Sequence, residues 1–382
     1  MSEQEENQDN EKAKSIKRPQ KRLRSVLIII SGVISCLLLW RLFFYESVDE
    51  KLVAIESTRT IPDSENAAII YNELLKDSET ATLLSERPDF LDEQTWDLTL
   101  KEPWLSTDYS ELFNWITKNK NIINKLIEVS KFEKCHFPIS IPESGIVSIL
   151  TEQSKCIREL GRFLLCSANN DTAENRIDEA LKKYICVINM GRHCRQQPSG
   201  LDFAIGIGLE AIGSQRIRFL IMMEEINEKH LHAIEAALNQ SDKDWDKNWK
   251  NMFRVETLYA KKRPKVHGLR NRIKVWWQLR NYEKPIIDNL SRSYLLLLTD
   301  RRGSRILVGL RLYKNKNGKW PDNLDNIKQI VSEEVLIDPH NNNSFVYKLS
   351  GDSFILYSKG LNNIDENGQR RDGADDWQIW PK

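Results

Sequence analysis

Arg305-Ile-Leu-Val-Gly-Leu-Arg-Leu-Tyr313, Asn317-Gly-Lys-Trp-Pro321, Phe345-Val-Tyr347 and Phe354-Ile-Leu-Tyr-Ser358 decide how the end of this chain folds. Ile306, Leu307, Leu310 and Tyr313 recur at helical spacing. Gly318 supplies the left-handed residue that commonly ends a helix, and Pro321 prevents the helix from resuming. Phe345 and Tyr347 share one face of a strand, as do Phe354, Leu356 and Ser358 on the next. Ser350-Gly351-Asp352 lies between them with turn chemistry, which predicts a hairpin. A helix followed by a small antiparallel sheet is an α+β unit.

Leu324 and Ile327 follow Pro321, then come Asp338-Pro339, the two strands, Ser358-Lys-Gly360 and an oxygen-rich loop from Asn362 to Asp376. This order resembles the C-terminal half of the type II secretion major pseudopilin. There a helix leads into G-x-[YW]-P-x-x-L, then D-P-x-x-N, a small antiparallel sheet and a calcium loop. The resemblance implies a pilin-like module over the last part of the chain and says nothing of the rest.

The loop has its own chemistry. Asn363-x-Asp365-x-Asn367-Gly368 matches positions 1, 3, 5 and 6 of a calcium loop, because hard divalent ions need several oxygens at once. It is not a regular EF-hand: its twelfth position is Ala374, and a strand precedes it. Asp372, Asp375 and Asp376 are placed to supply further carboxylates, as the Asp-rich end of the pseudopilin loop does. Ca2+ is therefore the one cofactor expected. Two features pull the other way, the Asn at 363 and the inserted Arg370-Arg371, whose charge can stand in for an ion. An acidic surface turn remains the alternative.

Upstream, the chain reads as a tail and an anchor. Residues 1–24 hold both signs of charge and lack the material for a core. Val26 to Trp40 is an almost unbroken apolar run, interrupted by Arg41 and continued by Leu42-Phe-Phe-Tyr45. About 20 apolar residues span a bilayer, so residues 25–45 are expected to be a transmembrane helix. Arg41 can snorkel to the interface, and Trp40 and Tyr45 suit the interfacial belt. Lys12, Lys14, Lys17, Arg18, Lys21, Arg22 and Arg24 precede the run, and Glu46, Asp49 and Glu50 follow it. The positive-inside rule then makes the chain a single-pass signal-anchor protein, N-terminus in the cytoplasm. A cleaved signal peptide is the competing reading, but the run is long and no small-x-small site follows it. A pilin signal would sit on the helix that carries the head, and here the two are far apart.

Residues 46–288 read as an extracytoplasmic helical region, α-solenoid-like or an irregular bundle, and 289–382 as a long helix plus the sheet. The fold class is thus mainly α. Only 16 Gly and 12 Pro in 382 residues agree with that, being few for an all-β chain. Segments around Glu65–Leu75 (capped by Asp63 or Ser64), Leu112–Ile127, Cys156–Leu164, Ile177–Ile188, Leu201–Met223, Glu228–Leu238 and Asp288–Lys314 show helical periodicity. Asn169-Asn-Asp171-Thr172 reads as the turn of a helical hairpin, which would set Cys156 opposite Cys186 for a disulfide or for two buried thiols. The layout, with its Cys135-His-Phe-Pro138 turn, also resembles bacterial membrane-anchored helical proteins of unassigned activity.

Other motifs favour structure over chemistry. Gly206-Ile-Gly208 to Gly213 lacks the spacing of a dinucleotide loop and suits close helix packing. Cys135-His136 and His193-Cys194 lack zinc-site spacing. His230 and His232 do not share a helix face and read as surface residues. The basic stretch Lys261 to Lys274, followed by Trp276-Trp277, reads as a solvated helix with two core aromatics rather than a phosphate-binding surface. A net charge of +1 argues against a nucleic-acid partner. No G-x-S-x-G, H-E-x-x-H or P-loop appears, so no catalytic residue is named.

The function expected is that of an interaction or scaffold protein, anchored in a bacterial inner (cytoplasmic) membrane, with a protein partner in the envelope. A hydrolase or binding protein for an envelope polymer, or an accessory part of a secretion system, are the alternatives. A reporter fused after Lys382 should be active only outside the cytoplasm, and cytoplasmic activity would overturn the topology.

Overall fold

In the computed structural model, residues 48–85, 89–139, 149–239, 245–262, 269–371 and 374–381 are described. They form twelve α-helices and one three-stranded antiparallel sheet. The helices are α1 (Val48–Ser57), α2 (Ala67–Lys76), α3 (Ser78–Ser85), α4 (Glu93–Lys101), α5 (Ser110–Lys118) and α6 (Lys120–Val129). Longer ones follow: α7 (Ile149–Ala173), α8 (Ile177–Arg195), α9 (Gly200–Met222), α10 (Glu228–Asn239), α11 (Trp245–Lys262) and α12 (Leu269–Asn317). The strands are β1 (Val346–Ser350), β2 (Ser353–Ser358) and β3 (Trp377–Trp380). Among the described residues no helix is long and apolar enough to cross a membrane. The tail, the expected span at 25–45 and Cys36 lie outside them.

α12 runs across residue 289, where the sequence suggested a boundary, and Ala54–Lys382 forms one compact unit. Helix starts follow local chemistry with small shifts. α2 is capped by Asn66, whose Oδ1 accepts from Ala68 N at 3.0 Å, not by Asp63 or Ser64. Leu112 to Ile127 is two helices, broken at Asn119. His230 is buried, contrary to its surface reading. It exchanges hydrogen bonds with Asn227 ahead of α10: His230 N–H donates to Asn227 Oδ1 at 3.0 Å, and Asn227 N–H to His230 Nδ1 at 3.3 Å.

The turn read at Asn169–Thr172 is not a turn. α7 continues through these residues, and the chain reverses at Asn175, φ 57°. Their polar side chains face inward and serve other segments. Asn169 Nδ2 donates to Thr99 O at 2.8 Å, and Asn170 Nδ2 to Trp104 O at 3.1 Å. Asn169 Oδ1 accepts from Tyr184 O–H at 2.7 Å. Asp171 takes Arg176 and the buried Lys183. Buried polar groups must be paired, and here the pairing outweighs turn propensity. Cys156 and Cys186 are not joined in a disulfide, and Cys186 Sγ donates to Leu126 O at 3.1 Å.

α8 and α9 pack at glycines. A Cβ on Gly206 would meet Gly191 O at 2.5 Å and Arg195 N at 3.0 Å. One on Gly213 would meet Ile188 Cγ1 at 2.7 Å, whereas Gly208 has nothing within 4 Å. This close approach brings charged groups into the interior. Glu210 on α9, 1% exposed, lies between Arg195 on α8 and Arg301 on α12, the latter at 2.9 Å. Burial alone would raise its carboxyl, but the two guanidinium groups outweigh that and hold it below the usual range. Further along α9, Arg218 donates to Asp300 Oδ1 at 2.6 Å, and the same oxygen accepts from Trp377 Nε1 at 2.9 Å. One buried carboxylate thus ties α9, α12 and β3 together.

Two glycine changes test this packing. Gly206→Ala should cost about 1–3 kcal/mol, because the atoms it meets are backbone and the helices must part. Gly208→Ala should gain up to about 1 kcal/mol from helix propensity alone. Urea denaturation of both variants checks this, and equal effects would overturn the contact.

Candidate functional site

The terminal loop is built on the hairpin. Gly351, φ 58°, takes the first central position of its two-residue turn. Register pairs Tyr347 with Leu356 and Leu349 with Phe354, so these side chains share one sheet face, on which Phe354 and Leu356 are buried and Leu349 is exposed. Trp320 stacks edge-on against Phe354 with centroids 4.8 Å apart and donates Nε1–H to Asp352 O at 3.0 Å. Tyr347 O–H donates to Pro321 O at 2.8 Å. The Gly-Lys-Trp-Pro segment is therefore a clamp on the hairpin. Asp338 is fully buried: Oδ1 accepts from His340 N at 3.0 Å and Oδ2 from Asn341 Nδ2 at 2.9 Å. Asn341 Nδ2 also donates to Gly360 O at 2.9 Å, fixing the point where the loop begins.

Val346, Lys348, Ile355 and Tyr357 occupy the other sheet face, which the loop covers. Asp365 Oδ1 accepts from Tyr357 O–H at 2.5 Å and from Asn367 N at 3.0 Å. Lys348 Nζ lies 3.1 Å from Asp365 Oδ2 and 3.0 Å from Asn367 Oδ1. The Tyr357 hydroxyl, the Asn367 amide and Lys348 hold the Asp365 carboxyl below its ordinary range. Asp375 Oδ2 accepts from Leu361 N at 2.9 Å and from Asn362 N at 3.3 Å. Asp376 Oδ2 accepts from Glu366 N at 3.0 Å and from Gly368 N at 2.8 Å. Glu366 closes the ring: Oε2 takes Asp375 N at 3.0 Å and Oε1 takes Asn362 Nδ2 at 2.7 Å.

The expected ligands that are described are thus brought into one loop, but half of the carboxylate oxygens of Asp365, Asp375 and Asp376 face backbone amides. Asn363 and Asn367 both take a left-handed backbone conformation, at φ 57°. Asp372 lies outside the described residues. Among those described, no group of three or more His, Cys, Asp or Glu is placed to hold a metal ion. The positive charge beside Asp365 and Asn367 is that of Lys348. Arg370 lies 4.3 Å above the Trp377 ring instead of among the carboxylates. Two buried oxygens have no partner, Asp375 Oδ1 and Asp376 Oδ1, and burial raises the Asp376 carboxyl above the ordinary range.

Lys348, Tyr357 and Glu366 were missed in the sequence. The first two were legible in principle. Strand alternation sets them on the face opposite Tyr347 and Leu356, where the loop must return. Glu366 carried no signal, since any loop acid fits its position. The other candidates are structural. His193 is buried between Tyr71 O–H, 3.1 Å from Nδ1, and Phe132 O, 2.8 Å from Nε2. Burial lowers its pKa to about 4. His136 Nε2 turns to Glu56 Oε1 at 2.8 Å. The basic stretch after Lys262 falls on residues or side chains that are not described.

No protein-family model matches the chain, and comparison with curated proteins and with solved structures gave no match.

Proposed function

We propose that the chain is a membrane-anchored, extracytoplasmic interaction protein whose terminal loop is its docking element. One observation carries this reading. Loop side chains hold loop backbone, and two of the residues whose amides are fixed in this way, Leu361 and Ile364, are exposed apolar residues. Leu361 N–H is held by Asp375 and its side chain is 52% exposed. Ile364 N–H is held by Asn362 Oδ1 at 2.7 Å and its side chain is 61% exposed. Holding exposed apolar residues in a fixed backbone lowers the entropy cost of binding. The apolar run at residues 25–45 supports the anchor, and its flanking charges support the inner membrane of a bacterium. The pilin-like order of the tail supports an envelope protein as partner, with a secretion assembly as one setting.

A photo-crosslinking residue at Ile364 should trap one discrete envelope protein in cells, and the same probe at Ile212 on α9 should not. Leu361→Ser with Ile364→Ser should remove the adduct without changing the melting temperature. Identical adducts from both positions would overturn the docking reading.

A calcium-stabilised loop is the second reading, favoured by the two orphaned oxygens. Ca2+ would be held by Asp375 and Asp376 and would add positive charge where the carboxylates crowd. Binding to the folded state alone stabilises it by about 2.7 kcal/mol at a hundredfold excess over Kd. The full-length protein should then melt higher in calcium than in chelator, and Asp375→Asn with Asp376→Asn should abolish the difference. Equal melting at millimolar calcium would leave a docking loop neutralised by Lys348.

A further inference from the structure

The start of α9 holds a carboxylate that packing does not explain. Ser199 caps the helix, its Oγ accepting from Asp202 N at 3.4 Å. In a reciprocal capping box the third residue's carboxylate turns back to the capping backbone. Asp202 does not. It is 1% exposed, and neither carboxylate oxygen has a hydrogen-bond partner. The neighbouring Gly200 N–H donates to Glu256 Oε1 of α11, at 2.8 Å.

The charged and titratable groups around Asp202 come from several elements. Arg59 follows α1, Cys135 precedes His136, Cys194 ends α8, and Glu256 reaches over from α11. Burial pushes both thiols up, so they bring no charge. Arg59 is already engaged. Its Nη1 lies 3.0 Å from Glu56 Oε2, its Nη2 3.1 Å from Gln197 Oε1, and His136 holds the other Glu56 oxygen. The Asp202 carboxyl is pushed up to about 7, first by burial and then by Glu256, against the opposing pull of Ser199 and Arg59. α11 covers this turn through a small apolar group, Phe203, Met252 and Leu290 with Trp249, separate from the main core. Small satellite clusters open more readily than a main core.

We propose that Asp202 is a proton-operated switch. Protonated, it lets the first turn of α9 close beneath α11. Ionised, it competes with Glu56 for Arg59 and loosens that turn, α11 and the Glu56–Arg59 segment together. The sign follows from linkage. An exposed Asp ionises near pH 4, whereas the closed state holds its proton to about pH 7. Closure is therefore fully favoured below pH 4, weakens as pH rises from 4 to 7, and stays weakened above.

The test is hydrogen exchange on the full-length chain at pH 5 to 9, corrected for intrinsic rates. Protection of residues 200–204 and 246–258 should fall roughly tenfold per pH unit between pH 5 and 7, then level. Residues 184–191 of α8 should not follow. In Asp202→Asn the fall should vanish. In Arg59→Gln it should move to higher pH, because the cation that favours the ionised form is gone. Carbon-detected NMR of the wild-type carboxyls should show one Asp titrating where the fall levels, near pH 7. A pH-independent wild type, an unchanged fall in Asp202→Asn, or no Asp carboxyl titrating near pH 7 would overturn the switch.

Discussion

The structure depends on an ion triad placed where three helices meet. Glu210 draws Arg195 and Arg301 into the interior, and none of the three side chains is more than 4% exposed. Desolvating such groups costs several kcal/mol each, and mutual attraction returns it only when the geometry is good. Removing one member leaves an uncompensated buried charge, typically at a cost of about 3–5 kcal/mol. The glycines at 191 and 206 are part of the same solution, because only without Cβ atoms can α8 and α9 come this close. α8, α9 and α12 are thereby fixed in register by charge as well as by apolar contact.

That register carries into the tail. Asp300 and Arg301 are neighbours on α12, one serving Trp377 and Arg218, the other Glu210. Ile379 of β3 is fully buried and packs where a Cβ on Gly303 would sit. The sheet is thus an extension of the helical interior rather than a separate bead. The loop built on it inherits that rigidity, since Lys348, Tyr357 and the Asp338 turn fix it from two sides.

The loop and the Asp202 turn show opposite uses of a carboxylate. In the loop, acids at 365, 375 and 376 accept backbone amides and organise an exposed surface. At Asp202 the carboxylate is buried without a partner, and its protonation state becomes a variable of the fold. The difference lies in geometry. Successive loop amides converge on one oxygen, whereas the first turn of α9 directs its free amide at Gly200 to Glu256.

Local chemistry alone determined the helix–hairpin order of the tail, the chain reversal at Gly351, the left-handed stop at Gly318 and the extents of α9 and α10. Each depends on periodicity or on backbone freedom within a few residues. The clustering of Asp365, Asp375 and Asp376 was legible too, because the loop is short. Only tertiary structure decided what those acids bind, since the answer required Lys348 and Tyr357 from another strand pair. It also turned Asn169 to Thr172 from a turn into buried helix and moved the Cys156–Cys186 register. It set Asp202, Glu210 and Asp300 in the interior. Burial and pairing are properties of distant residues meeting, and no window of sequence contains both partners.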